Sequence, residues 1–148
     1  MPKPDSMCGD VYELSADTAK LPDYWNLDPI GAVQTYALNV ENEFLTKGIP
    51  GVTSRPEWFG IDYHGEFWIG LPGEYSFELT SDDGANLYID DVLVVGLDGG
   101  HQPWTGKRAV RLGAGLHTIH VPYFQGHFSV TLVLRVKTPG KEYRIFDL

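Results

Sequence analysis

Hydrophobic and polar positions alternate along most of the chain, and a helical period is nearly absent. The clearest stretch is 74–80. There Tyr75, Phe77 and Leu79 fall on one face and Ser76, Glu78 and Thr80 on the other, the period of a half-buried strand. In a second run, 128–137, Val130, Leu132, Leu134 and Val136 share a face. The same pattern predicts strands at 33–40, 58–69, 86–90, 92–95, 107–112, 116–124 and 143–146, with Gly65 read as a turn or bulge inside 58–69. Between them stand turn signals: Leu71-Pro72-Gly73, Asp90-Asp91, Gly113-Ala114-Gly115 and Thr138-Pro139-Gly140. A long polar loop is expected at 96–106. Roughly nine strands at this spacing predict an all-β fold, an antiparallel β-sandwich or twisted barrel. Residues 1–31 read as an irregular N-terminal lead-in packed on the body, with Tyr12 and Trp25 docked against it. Residues 32–148 read as one β-sandwich domain.

Composition narrows the function classes. Seventeen Gly and ten Pro in 148 residues fit a fold rich in turns, and the aromatic content of 13% rules out low-complexity disorder. Twenty acidic against 11 basic residues give a net charge of −9, a surface that repels phosphate backbones, so no nucleic-acid partner is expected. Clustered carboxylates on such a surface suit a bound cation. Cys8 is the single cysteine and forms no internal disulfide. No apolar run is long enough to span a membrane, and the first residues do not resemble a signal peptide. The sequence leaves open an internal protein or a piece of a longer exported chain.

Catalytic signatures are missing. The five histidines are His64, His101, His117, His120 and His127. His117 and His120 are three apart, which on a strand sends them to opposite faces, whereas a zinc pair on one strand is better placed two apart. There is no His-Glu-x-x-His pattern, nucleophile elbow or phosphate loop. A paired-carboxylate hydrolase is the least poor enzymatic reading, and the expectation is a non-enzyme.

Ser81-Asp82-Asp83-Gly84 is the segment with chemistry in it. Two adjacent carboxylates repel unless a cation or hydrogen bonds compensate them. Calcium takes about six to eight hard oxygen ligands in flexible geometry, and a cis peptide between the two residues would let both reach one ion. The alternative from residues alone is a β-turn in which Asp82 caps backbone amides and Asp83 faces water. Trp104 and His101 stand on the 96–106 loop, where covering a core edge is by itself reason enough for the Trp104 ring. Trp58, Phe67, Trp68, Tyr75 and Phe77 sit within strand patterns and are assigned mostly to the core.

Glu57-Trp58-Phe59-Gly60-Ile61, Pro72-Gly73-Glu74-Tyr75-Ser76-Phe77, Ser81-Asp82-Asp83-Gly84 and Leu87-Tyr88-Ile89-Asp90 follow one another in the order and spacing of a known family. Gly113-Ala114-Gly115-Leu116-His117-Thr118-Ile119 and Tyr123-Phe124-Gln125-Gly126 continue it, and together they resemble the PA14 domain over about residues 33–147. The resemblance implies a twisted β-sandwich of a kind found in toxins, glycosidases, adhesins and flocculins and taken to bind carbohydrate. In the lectin branch an Asp-Asp pair binds calcium through a cis peptide, and the ion coordinates vicinal sugar hydroxyls. By position that pair is Asp82 and Asp83, and the second loop is Gln125-Gly126-His127-Phe128. Gln125 stands where fungal lectins usually carry Asn.

The resemblance therefore implies a non-catalytic, calcium-dependent carbohydrate-binding domain. The metal set is Asp82, Asp83, Gln125, His127 and Phe128, with His101 and Trp104 beside the sugar and His127 on its other flank. Monosaccharide affinity is expected at about the millimolar to tenth-millimolar level, because a shallow site buries little ligand surface. The alternatives are a structural or protein-interaction module of a larger surface protein, or an accessory domain of a glycoside hydrolase, without a sugar site. The family implies an extracellular or periplasmic location.

Overall fold

The computed structural model of the chain describes residues 6–43, 52, 53, 55–126 and 129–147, without the side chains of 41–43. Eleven strands carry it: β1 Met7–Glu13, β2 Gly31–Thr35, β3 Asn39–Glu43, β4 Phe59–Ile69, β5 Gly73–Asp82, β6 Ala85–Ile89, β7 Val92–Leu97, β8 Trp104–Leu112, β9 Gly115–Gln125, β10 Val130–Lys137 and β11 Tyr143–Ile145. Among the described residues the helical structure is one 3-10 turn, Tyr24–Asn26, capped by the Asp23 carboxylate. Among the described residues no helix is long and apolar enough to cross a membrane.

The strands form two antiparallel sheets. One runs β2-β1-β4-β9-β6-β7; the other runs β11-β10-β5-β8, with β3 also pairing β10. This is the all-β antiparallel sandwich expected from the alternation. Tyr75, Phe77 and Leu79 of β5, and Val130, Leu132, Leu134 and Val136 of β10, all turn into the space between the sheets. Ile119, Val121 and Tyr123 of β9 and Ala85, Leu87 and Ile89 of β6 meet them from the other side. Each large side chain buried this way contributes about 1.5–3 kcal/mol. Asp90 and Asp91 both have positive φ, 50° and 65°, and close the β6–β7 hairpin as the turn its twist requires.

Several expectations are corrected. The segment read as irregular contains β1, which lies between β2 and β4 as a strand of the first sheet. Its inward positions are Met7, Gly9 and Val11, and Gly9 has no room for a side chain: a Cβ would sit 2.6 Å from Ile61 Cγ2. The predicted strand 33–40 is two strands, because the chain crosses at Tyr36-Ala37-Leu38 from the first sheet to the second. Gly65 is paired in register with Ile119, so β4 runs unbroken. The 96–106 loop shrinks to 98–103, since β7 extends to Leu97 and β8 begins at Trp104. Trp25, expected to dock on the body, is 94% exposed, and Trp68, expected in the core, is 72% exposed.

A smaller apolar cluster, Tyr12, Leu14, Tyr24 and Phe124, packs the lead-in onto the outer face of the first sheet. Tyr24 stacks on Tyr12 at 4.7 Å and donates its hydroxyl to the Tyr123 carbonyl at 2.6 Å. Gly60 lies directly beneath, where a Cβ would be 1.8 Å from Tyr24 Oη.

Candidate functional site

Three crossings between the sheets meet at one end of the sandwich: 83–84 after β5, 98–103 after β7 and, among the described residues, Gly126 and Ser129 after β9. Asp82 closes β5, paired with Thr131 of β10, and is 7% exposed. The peptide bond between Asp82 and Asp83 is cis.

Asp83 is held by both other loops. Its Oδ2 accepts the Gly126 backbone N–H at 2.6 Å, and its Oδ1 accepts that of His101 at 3.0 Å. Gly126 is needed for this approach, because a Cβ there would stand 2.9 Å from Asp83 Oδ2. The Gly126 carbonyl in turn accepts the N–H of Trp58 at 2.9 Å, where Trp58 has φ 55°. Gly84 packs as closely: its carbonyl accepts from Phe124 N–H, and a Cβ would meet Phe124 Cε1 at 2.5 Å.

Asp82 is fixed from beneath. Tyr123 Oη donates to the Asp82 carbonyl at 2.7 Å and lies 3.0 Å from Gln125 Oε1. Burial, reinforced by the carboxylates of Asp83 and Asp82, holds the Tyr123 hydroxyl pKa well above the usual tyrosine range, so it stays protonated and a donor. Ser129 Oγ donates to Asp82 Oδ2 at 3.4 Å. Gln125 is fully buried, and its amide Nε2 donates to the Ser129 carbonyl at 3.0 Å.

Above these groups opens a hollow of about 580 Å³ lined by Asp82, Asp83, Gly100, His101, Gln102, Pro103 and Ser129, a volume within the range of small-molecule sites. Of the residues singled out in the sequence, Asp82, Asp83 and His101 share this hollow. Gln125 sits behind its wall, joined to it through Ser129 and Tyr123. Trp104 is 63% exposed and meets the His101 ring edge-on, centroids 5.7 Å apart, on the rim rather than the lining. The His101 ring is itself pinned, with Nε2 2.8 Å from the Leu97 carbonyl oxygen and Nδ1 2.6 Å from that of Gln102. His127 and Phe128 lie outside the described residues. Gly100, Gln102, Pro103 and Ser129 were not anticipated; the Gly99-Gly100 and Pro103 punctuation was their only trace in the sequence. Asp98 steadies the same loop, its Oδ1 accepting from Leu21 N–H at 2.6 Å and Gly99 N–H at 2.7 Å.

The donor set fits a hard cation. Two carboxylates face one hollow, and Asp83 is oriented by backbone amides that do not move with side-chain rotamers.

A model of the PA14 domain family matches residues 12–148. The chain belongs to the PA14 family. The match begins within β1. Among solved structures, this PA14 domain is similar to an anti-sigma factor domain-containing protein at TM-score 0.77 and 16% identity, covering 97% of this chain and 46% of that one. The chain thus spans less than half the length of that relative. It is also similar to a PA14 sugar-binding domain from an RTX adhesin (TM-score 0.75, 15% identity, 97% of this chain and 96% of that one). The Epithelial Adhesin 9 A domain from Candida glabrata, solved in complex with Galb1-3GlcNAc, superposes at TM-score 0.69 and 13% identity over 98% of this chain and 93% of that one. At such identities the likeness is one of fold. No curated protein sequence matches the chain.

Proposed function

We propose that this PA14 domain is a non-catalytic carbohydrate-binding module that uses calcium. The observation that carries the reading is the convergence of Asp82 and Asp83 on one hollow, with Asp83 clamped by the backbones of the two other loops. Asp82 and Asp83 are the residues assigned to the ion, and Gln125, buried behind the wall of the hollow, braces them through Tyr123 Oη and the Ser129 carbonyl. Bound there, calcium would supply open coordination positions for vicinal sugar hydroxyls. The chain's own residues fix the carboxylates, shape the hollow through Gly100, Gln102 and Pro103, and offer the exposed Trp104 ring at the rim for stacking. The full-length likeness to a sugar-binding PA14 domain of an RTX adhesin supports this reading. It also favours a location outside the cytoplasm, on or beyond a cell surface.

A glycan array probed with labelled protein in calcium and in EDTA tests it. Binding to a defined set of glycans in calcium, lost in EDTA and in Asp83→Asn, is expected. Equal signals in both buffers, or none above background, would refute the reading and direct the search to protein partners.

A further inference from the structure

Away from the hollow, the outer face of the first sheet carries a second group of ligating side chains. Asp62 and His64 are two apart on β4 and so project from the same face, and His120 of β9 is the direct cross-strand partner of His64. His120 Nε2 lies 2.6 Å from Asp62 Oδ1, and His64 Nε2 lies 2.9 Å from Asp62 Oδ2. One ligand atom from each of the three lies within 4.8 Å of the other two. The two imidazoles stack almost parallel, centroids 4.3 Å apart and planes 7° from each other, and Tyr88 of β6 stacks on the far side of His120 at 5.3 Å.

This stack aims both Nε2 atoms at one carboxylate and holds them there. Solvent reaches the group from two sides: one hollow is lined by His64, Glu66, Thr118 and His120, the other by Asp62, Tyr88, Trp25 and His120. None of the three residues lines the Asp82–Asp83 hollow.

We propose that Asp62, His64 and His120 form a binding site for a divalent transition-metal ion of the zinc type, ligated by the two Nε2 atoms and the Asp62 carboxylate. Two imidazole nitrogens with one carboxylate suit zinc, copper or nickel and do not suit calcium or magnesium, which take oxygen ligands. Without metal, each Nε2–H donates to Asp62; with metal, the rings ligate as the Nδ1–H tautomers, so no net proton need be lost from neutral imidazoles. Three protein ligands leave at least one position for water or an incoming group.

Calorimetric titration of the EDTA-stripped, untagged protein with zinc chloride tests the site. One equivalent is expected to bind, with affinity falling at least about tenfold in His64→Gln and in His120→Gln, since even losing an outer partner of a metal ligand costs that much. Asp82→Ala should bind zinc like the parent, which separates this site from the proposed calcium site. Cys8→Ser, at the β1 position opposite His64, should do the same. Unchanged binding in both histidine variants, or no stoichiometric binding to the parent, would overturn the proposal. If either variant folds poorly, imidazole NMR signals of the parent decide. Zinc-induced shifts confined to His64 and His120 support the site, and shifts only at the other histidines refute it.

Discussion

The Asp83 carboxylate accepts the backbone N–H of Gly126 at 2.6 Å, reaching from the loop after β5 to the loop after β9. Its other oxygen takes the N–H of His101 from the loop after β7. One side chain therefore ties together the three crossings that make up the candidate site. A carboxylate can do this and still present lone pairs to an ion, because each oxygen accepts more than one contact.

This tie predicts a structural role for Asp83 that needs no metal. Asp83→Ala leaves two backbone N–H groups without their acceptor, at about 1–3 kcal/mol when such groups are shut away from water. Chemical denaturation in EDTA should show that loss, with Asp83→Asn milder because its amide oxygen still serves one of the two donors. Equal stability of Asp83→Ala and the parent would mean that the loops hold together without the carboxylate.

A second prediction concerns the lead-in. Tyr24 is buried, and its hydroxyl satisfies the Tyr123 carbonyl next to the site. Burial, with the nearby Asp62 carboxylate adding to it, raises the Tyr24 pKa far above the usual range, so the hydroxyl remains a donor at any working pH. Tyr24→Phe removes that donor alone and should cost about 1–2 kcal/mol by urea titration. Gly60→Ala forces a methyl into Tyr24 Oη and should cost more. If both variants match the parent, the segment before β2 is not anchored at Tyr24.

His117 and Asp90 give stability a pH dependence. His117 Nδ1 is 2.6 Å from Asp90 Oδ2. The hydrogen bond to Asp90 lifts the His117 pKa above its ordinary value, against the opposing effect of burial. For Asp90, burial pushes the pKa up, but hydrogen bonds from His117 and from Thr118 N–H outweigh it and leave it lowered. A raised histidine stabilises fully below its unfolded pKa and loses that contribution as pH rises through the folded value. A lowered aspartate stabilises above its unfolded pKa and loses it as pH falls through the folded value. The pair is therefore worth most between the ordinary aspartate and histidine values, at about pH 4–6.5. The stability gap between parent and His117→Gln should be wider at about pH 5.5 than at about pH 8.5. A gap independent of pH would show that the pair makes no ionic contribution.

The parts of this molecule legible in its sequence are those where local pattern and tertiary role coincide. Tyr75, Phe77 and Leu79 alternate with polar residues because β5 has one face in the core, and Asp90-Asp91 announces its turn chemically. Asp82-Asp83 stood out because adjacent carboxylates before a glycine are costly without a purpose. β1 did not, because its inward face includes Gly9, a residue demanded by the close approach of Ile61 and Tyr63 and carrying no hydrophobic signal. Trp25 and Trp68 misled in the opposite sense: apolar surface predicts burial, yet both rings face solvent. His64 and His120 were separately visible, but only the β4–β9 register places them opposite each other. Spacing along a single strand, the test applied to His117 and His120, does not reveal a pair assembled across two.

Thermal unfolding of the EDTA-stripped protein, with and without excess calcium and with magnesium as the control, tests the central claim most directly. At about a hundredfold excess over the dissociation constant, a cation bound only by the folded state adds about 2.7 kcal/mol, or roughly 5–10 °C for a domain of this size. The account predicts that rise with calcium, little with magnesium, and none in Asp82→Ala. A melting temperature indifferent to calcium, or a calcium shift that survives in Asp82→Ala, would contradict it.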